Sequence, residues 1–221
     1  MKILCLSDIH LGSPICQADL TLDILENEEY DKLIICGDLL DSYHIHRLCK
    51  KQWKILSTLR KITKDKKCIF IKGNHDKDIE MVSALLGLEF KEQYEVTIEG
   101  KAILFVHGDK WDTFINTKPV LTELAGAVYY VLQKIDKKQK WTRKLKKKVK
   151  TWHDAAHELT TRIAKHCYNS HYDAVVFGHT HVPKHEHIGG VECVNLGSQC
   201  DLPITYAIID KHGKIELKTK E

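Results

Sequence analysis

Five short clusters in this chain of 221 residues carry side chains able to hold a metal ion or move a proton. They are Ser7-Asp8-Ile9-His10, Gly37-Asp38-Leu39-Leu40-Asp41, Gly73-Asn74-His75-Asp76, His107-Gly108-Asp109 and Gly178-His179-Thr180-His181. Carboxylates and imidazoles together suit manganese, iron, zinc or cobalt better than calcium, which prefers oxygen alone. An amide carbonyl and a carboxylate able to bridge suit a pair of divalent ions. Two such ions, about 3.5–4 Å apart, activate a shared water and clamp the oxygens of an in-line displacement at phosphorus. Hydrolysis at phosphorus is therefore the chemistry expected.

Residues so far apart in sequence need a scaffold that gathers them. Each cluster follows a short run rich in Ile, Val, Leu and Phe: Lys2 to Leu6, Lys32 to Cys36, Cys68 to Ile71, Ala102 to Val106 and Asp173 to Phe177. Such runs read as buried strands. Helical periodicity from about Ala18 to Asn27 and from His44 to Ile62 separates the first three, which is the alternation of a largely parallel sheet. In sheets of this kind ligands gather beyond the carboxyl ends of the strands. Val191 to Val194, Ile204 to Asp210 and Lys214 to Lys218 read as further strands, with His212-Gly213 at the last hairpin. The expected architecture is a layered α/β sandwich with two sheets, a single domain over residues 1–221.

One stretch breaks the rhythm. From Trp111 to Cys167 the pattern is helical, with one apolar stripe through Leu121, Leu124, Val128, Leu132 and Ile135 and another through Trp152, Ala156, Leu159 and Ile163. Between Lys134 and Lys150, ten of seventeen residues are Lys or Arg and Asp136 is the sole acid. Such a block lies in solvent or against something anionic, either a membrane surface or a polyanion. The segment 111–167 reads as a helical cap insertion carried by the domain.

The motifs DxH, GDxxD, GNHD, HG and GHxH, in this order from Asp8 to His181, resemble the calcineurin-like metallophosphoesterase family. The resemblance implies a four-layer αββα sandwich and a two-metal hydrolase of phosphate esters or phosphoanhydrides. Residue by residue, it implies that Asp8, His10 and His181 hold one metal, that Asn74, His107 and His179 hold the other, and that Asp38 bridges them. It makes His75 the general acid that protonates the leaving oxygen, with Asp76 orienting it. Asp41 belongs behind the ligands, tying them down by hydrogen bonds. Manganese is the first expectation for both ions, with iron, zinc and cobalt as alternatives.

A looser resemblance, through His107-Gly108-Asp109-Lys110-Trp111-Asp112, the helical insertion and Asn195-Leu196-Gly197-Ser198, is to the branch that contains UDP-2,3-diacylglucosamine pyrophosphatase. It implies a nucleotide-linked lipid as substrate and a lipid-binding lid. That branch carries Arg where this chain has His75, so GNHD follows the general family pattern. A nuclease, suggested by the basic block, ranks lower because no aromatic-rich groove for stacking bases is evident. A scaffold that binds protein partners through the same fold ranks lower still, since the metal and acid positions are all present.

The remaining sequence signals are bland. No apolar run approaches the roughly 18 residues of a membrane span, and no leader precedes the first strand; a cytoplasmic protein is expected, with peripheral contact to the inner membrane face through residues 134–150. Cys5, Cys36 and Cys193 sit within strand-like runs and read as reduced core thiols. His153 and His157 have i, i+4 spacing, but no Glu follows His153, so a zincin helix is excluded. Oligomeric state is left open.

Overall fold

The computed structural model describes residues 1–41, 45–76, 79–113 and 150–221. In chain order the strands and helices are β1 (Ile3–Leu6), α1 (Ala18–Asn27), β2 (Lys32–Cys36), α2 (Lys50–Asp65), β3 (Lys67–Ile71), α3 (Glu80–Leu86) and β4 (Glu89–Lys91). There follow β5 (Tyr94–Ile98), β6 (Lys101–Phe105), α4 (Lys150–Asn169), β7 (Ala174–Phe177), β8 (Lys184–Ile188) and β9 (Val191–Asn195). The chain closes with β10 (Ile204–Ile209) and β11 (Ile215–Lys220).

Two sheets result. The first has the order β11-β10-β1-β2-β3-β4, and the second β5-β6-β7-β9-β8. β1 to β4 run parallel to one another, as do β6, β7 and β9. The parallel strands are buried on both faces, which is why they read as unbroken apolar runs. Their side chains alternate between two cores. Leu4, Leu6, Leu33, Ile35 and Phe70 face outward and pack with residues of α1, α2 and α3. Ile3, Cys5, Ile34, Ile69 and Ile71 face inward and meet Ile103, Phe105, Val176 and Val194 of the second sheet. On the far side Leu104, Val175 and Phe177 pack against Leu159, Ile163 and Cys167 of α4. The layers are therefore helix, sheet, sheet, helix, the αββα sandwich that the resemblance implies.

Several expectations shift in detail. The second helix begins at Lys50 and not at His44, because the Gln52 side chain turns back to accept the Cys49 backbone N–H (3.0 Å) and so starts the helix there. His44 itself lies outside the described residues. β4, β5, β8 and α3 are additional elements; β8 (KHEHI) is an edge strand whose polar side chains hide it from an apolar pattern. None of the eight cysteines is disulfide-bonded and six are buried. Burial pushes the Cys193 thiol up to about 12, which fits core packing and not nucleophilic chemistry.

Of the helical insertion, only Trp111 to Thr113 and α4 are described. The stripe Leu121 to Ile135, and the basic block apart from the first residue of α4, lie outside the described residues. Among the described residues no helix is long and apolar enough to cross a membrane.

Candidate metal centre

The parallel pairing carries all five clusters to the same end of both sheets. Asp8 follows β1, Asp38 follows β2, Asn74 follows β3, His107 follows β6, and His179 and His181 follow β7. Backbone bonds zip the loops together: Asp8 N–H donates to the Gly37 carbonyl (3.1 Å), His10 N–H to Asp38 (3.0 Å) and Gly178 N–H to His107 (3.0 Å). Five of the expected ligands sit at positive φ: Asp8 (54°), His10 (47°), Asp38 (53°), His179 (71°) and His181 (56°). A non-glycine residue there costs of order 1 kcal/mol or more and persists where the surroundings over-determine it, which is typical of functional sites. Three glycines of these motifs, Gly37, Gly73 and Gly178, are required by close approach. A Cβ on Gly73 would lie 2.2 Å from Asp38 Oδ1, and one on Gly178 would lie 1.9 Å from Ser7 Oγ.

The side chains form two adjoining groups. In one, Asp8 Oδ1 lies 3.2 Å from His181 Nε2 and 3.7 Å from His10 Nε2, and the two imidazole Nε2 atoms are 3.2 Å apart. In the other, Asn74 Oδ1 lies 3.1 Å from both His107 Nε2 and His179 Nδ1. Asp38 Oδ2 stands between them, 3.6 Å from His10 Nε2 and 3.4 Å from His107 Nε2. Its other oxygen, Oδ1, accepts the His75 backbone N–H (2.9 Å), which fixes the carboxylate.

The far nitrogen of three of these histidines is held by an acceptor. His107 Nδ1 meets the Cys36 carbonyl (2.9 Å), His179 Nε2 meets Asp112 Oδ2 (3.0 Å) and His181 Nδ1 meets Asp201 Oδ2 (3.0 Å). A proton on the held nitrogen leaves the lone pair on the nitrogen that faces the cluster, the tautomer a metal ligand needs. Asp112 and Asp201 were not singled out from sequence. Their one signal is a carboxylate a few residues past the HG and NLGS tracts, which is too common to stand out.

The profile of the "Calcineurin-like phosphoesterase superfamily domain" matches residues 1–214. The chain belongs to the calcineurin-like phosphoesterase superfamily. No curated protein matches it. Among solved structures it is similar to a novel archaeal phosphodiesterase (18% identity, 99% of each chain, TM-score 0.54). It is also similar to YfcE, a phosphoesterase from E. coli (17%, 100% of each chain, 0.54). A single mutant of Vps29 from Entamoeba histolytica aligns as well (17%, 100% of each chain, 0.50). At such identities these likenesses show the fold.

The donor set fits the divalent ions of this superfamily. Asp8 Oδ2 accepts from Ser7 Oγ and from the His179 backbone N–H (3.0 Å), whereas Asp8 Oδ1 is buried with no hydrogen-bond partner. A buried carboxylate oxygen left bare costs roughly 1–3 kcal/mol or more unless a cation meets it. His10 Nδ1 is likewise buried without a hydrogen bond. In the metal-free protein the charges offset one another. Burial raises the pKa of Asp8, but His181 and His10 beside it bring it well below the usual carboxylate range. Burial lowers that of His181, and Asp8 with Asp201 carries it up to about 9. His107 is raised in the same way by Asp38, against the effect of its burial.

His75 and its neighbours sit at the rim. The His75 ring is exposed, its Nδ1 lies 2.9 Å from the Asp41 carbonyl oxygen, and its edge meets the His10 ring with centroids 4.8 Å apart. Asp41 Oδ1 lies 3.7 Å from His10 Nδ1. Besides the orienting of His75 that the resemblance implies, the Asp76 carboxylate has backbone partners in the structure. Buried, it accepts the backbone N–H groups of Asp38 (2.6 Å), Gly73 (2.9 Å) and Leu40 (3.3 Å), so it ties the loops after β2 and β3 together. The ring contact that orients His75 comes from the Asp41 carbonyl. Burial and the nearby Asp38 charge push the Asp76 carboxyl up to about 7.

Proposed function

We propose that this protein is a two-metal hydrolase of phosphate esters, with Asp8, His10 and His181 at one metal position, Asn74, His107 and His179 at the other, and Asp38 shared. The observation that carries this reading is the single oxygen Asp38 Oδ2, 3.6 and 3.4 Å from one imidazole of each group. Bound divalent ions supply Lewis acidity at phosphorus and a nucleophile from water at neutral pH. Manganese is the metal we propose, from the mixed carboxylate, amide and imidazole set.

The protein's own groups would do the rest. His75 Nδ1 donates to the Asp41 carbonyl, which leaves Nε2 as the nitrogen from which the imidazolium form would deliver a proton to the leaving oxygen. Asp76 holds the backbone of Asp38 and Gly73, and thereby the bridge and the loop that presents Asn74 and His75. Asp8 is fixed through Oδ2, so Oδ1 faces the metal position without rearrangement.

The narrower substrate proposal is a nucleotide-linked lipid such as UDP-2,3-diacylglucosamine. It is supported by the tract His107 to Asp112 and by the apolar and basic character of residues 120–150, where a cationic face would suit an anionic membrane. The deciding assay incubates the manganese-loaded protein with that compound, with bis-p-nitrophenyl phosphate and with p-nitrophenyl phosphate, and identifies products by mass spectrometry. Release of UMP supports the lipid substrate; cleavage of the aryl esters alone leaves the hydrolase and removes the lipid. Two bound ions with no turnover on any of these, or on DNA, would overturn the enzymatic reading and favour a binding scaffold.

A further inference from the structure

The histidine loop after β7 is gripped at each of its two ligands by a different carboxylate, Asp112 at His179 and Asp201 at His181. Asp112 Oδ2 lies 3.0 Å from His179 Nε2. The residues on either side of Asp112 are pinned by one guanidinium: Arg162 Nη1 donates to the Trp111 carbonyl (3.1 Å) and to Thr113 Oγ1 (2.9 Å). The Trp111 ring also packs on His166, centroids 5.3 Å apart. Farther along the same helix, Trp152 Nε1 donates to the Thr180 carbonyl (3.2 Å), the residue between the two ligands. Trp111 to Thr113 is where the chain leaves β6, and Trp152, Arg162 and His166 lie on α4, by which it returns to β7. Both ends of the segment between β6 and β7 are thus tied to each other and to the ligand loop.

His181 is treated differently. Its Nδ1 partner, Asp201, comes from the loop after β9 and is itself bonded by Ser198 Oγ (3.1 Å). Among the described residues of the β6–β7 segment, none is hydrogen-bonded to His181 Nδ1.

We propose that Asp112, Arg162 and Trp152 are positioning residues through which the base of the β6–β7 segment sets the grip of the Asn74/His107/His179 metal position, while the Asp8/His10/His181 position is set by Asp201. This rests on the two-metal reading above. The physical reason is the outer partner of a ligating imidazole: it fixes the tautomer and the ring angle, and its loss costs about 10–100-fold in metal affinity. Asp112 keeps the proton on His179 Nε2 and presents Nδ1 toward Asn74 Oδ1, which lies 3.1 Å away. Asp112 in turn depends on a backbone held on both sides by the planar, multiply donating Arg162 side chain. Arg162 touches none of the expected metal ligands, so an effect of Arg162 on one ion alone separates positioning from ligation.

The test is calorimetric titration of the metal-stripped full chain with manganese. Wild type should take up two ions. Arg162→Ala should weaken one of them about 10–100-fold and leave the other unchanged, with a smaller effect from Trp152→Phe. Asp112→Leu should weaken the same ion, and Asp112→Asn, which keeps an acceptor oxygen, should restore most of the loss. Asp201→Leu should weaken the other ion, so that Asp112→Leu with Asp201→Leu weakens both. As a readout free of metal, long-range nitrogen-15 NMR of the imidazoles should show the His179 proton on Nε2 in wild type and redistributed in Asp112→Leu. Equal weakening of both ions by Arg162→Ala, no weakening by Asp112→Leu, or a His179 tautomer unmoved by Asp112→Leu overturns the inference. If Arg162→Ala does not fold, the Asp112 pair and the tautomer decide alone. Uptake of fewer than two ions by wild type would instead defeat the two-metal reading itself.

Discussion

The two sheets bring different donors to the shared edge. In the proposed two-metal site, β1, β2 and β3 of the first sheet supply the oxygen donors, Asp8, Asp38 and Asn74, with His10 the one nitrogen donor among them. β6 and β7 of the second deliver nitrogen alone, His107, His179 and His181. Neither sheet carries a complete metal position. Each position needs carboxylate or amide oxygen from one side and imidazole from the other, so the site exists only when the sheets dock through the core between them. That core, built of Ile3, Cys5, Ile34 and Ile69 against Phe105 and Val176, is as much a condition of the chemistry as the ligands are.

The most damaging way to break this division is to remove the group that serves both halves. Asp38→Ala should abolish metal-dependent turnover and loosen both ions at once, as seen by calorimetry and a phosphodiester assay. His75→Ala removes a first-sheet residue outside the metal pair. It should lower turnover by roughly 10²–10⁴-fold, the usual contribution of a general acid, with both ions retained; loss of an ion would mean that His75 is a ligand. Phe105→Ala attacks the docking itself. Phe105 is wholly buried between the sheets, so truncation should destabilise the fold by about 3–5 kcal/mol in chemical denaturation, while the folded fraction keeps its metal content.

The smallest effect expected is on pH. In the metal-free protein the folded-state pKa of His181 is about 9 against an ordinary 6.5, so its stabilisation by Asp8 and Asp201 is full below pH 6.5 and is lost as pH rises through 9. Asp8, lowered from an ordinary 3.8, contributes above that value and is lost as pH falls through its folded pKa. Metal-stripped protein should therefore melt highest between about pH 4 and 6.5. Metal-loaded protein should show the reverse trend between about pH 6.5 and 9, where it holds or gains stability as pH rises, because the imidazoles must be neutral to bind an ion. Thermal melts with and without chelator across pH 4–9.5 check both slopes.

Much of this was legible in the sequence. The ligands stand out because each follows an apolar run that is buried on both faces, and because Gly37, Gly73 and Gly178 mark where the chain must turn beside a neighbour. The layering follows from the same runs. What was hidden has physical causes. β8 and β5 are edge strands whose outer faces are wet, so KHEHI and YEVTI give little apolar signal. The roles of Asp112 and Asp201 depend on which ring nitrogen each meets across 67 and 20 residues of chain, and spacing does not encode that. Asp76 was legible as a site residue but not as a brace, since its partners are the backbone amides of another loop.

The central claim is that two ions share Asp38. A crystal structure of the manganese-loaded protein, with anomalous scattering recorded at the manganese edge, tests it directly. Two peaks about 3.5–4 Å apart, flanking Asp38 Oδ2 with one beside His181 and the other beside His107, are the predicted result. A single peak, or two peaks that do not share Asp38, would contradict it.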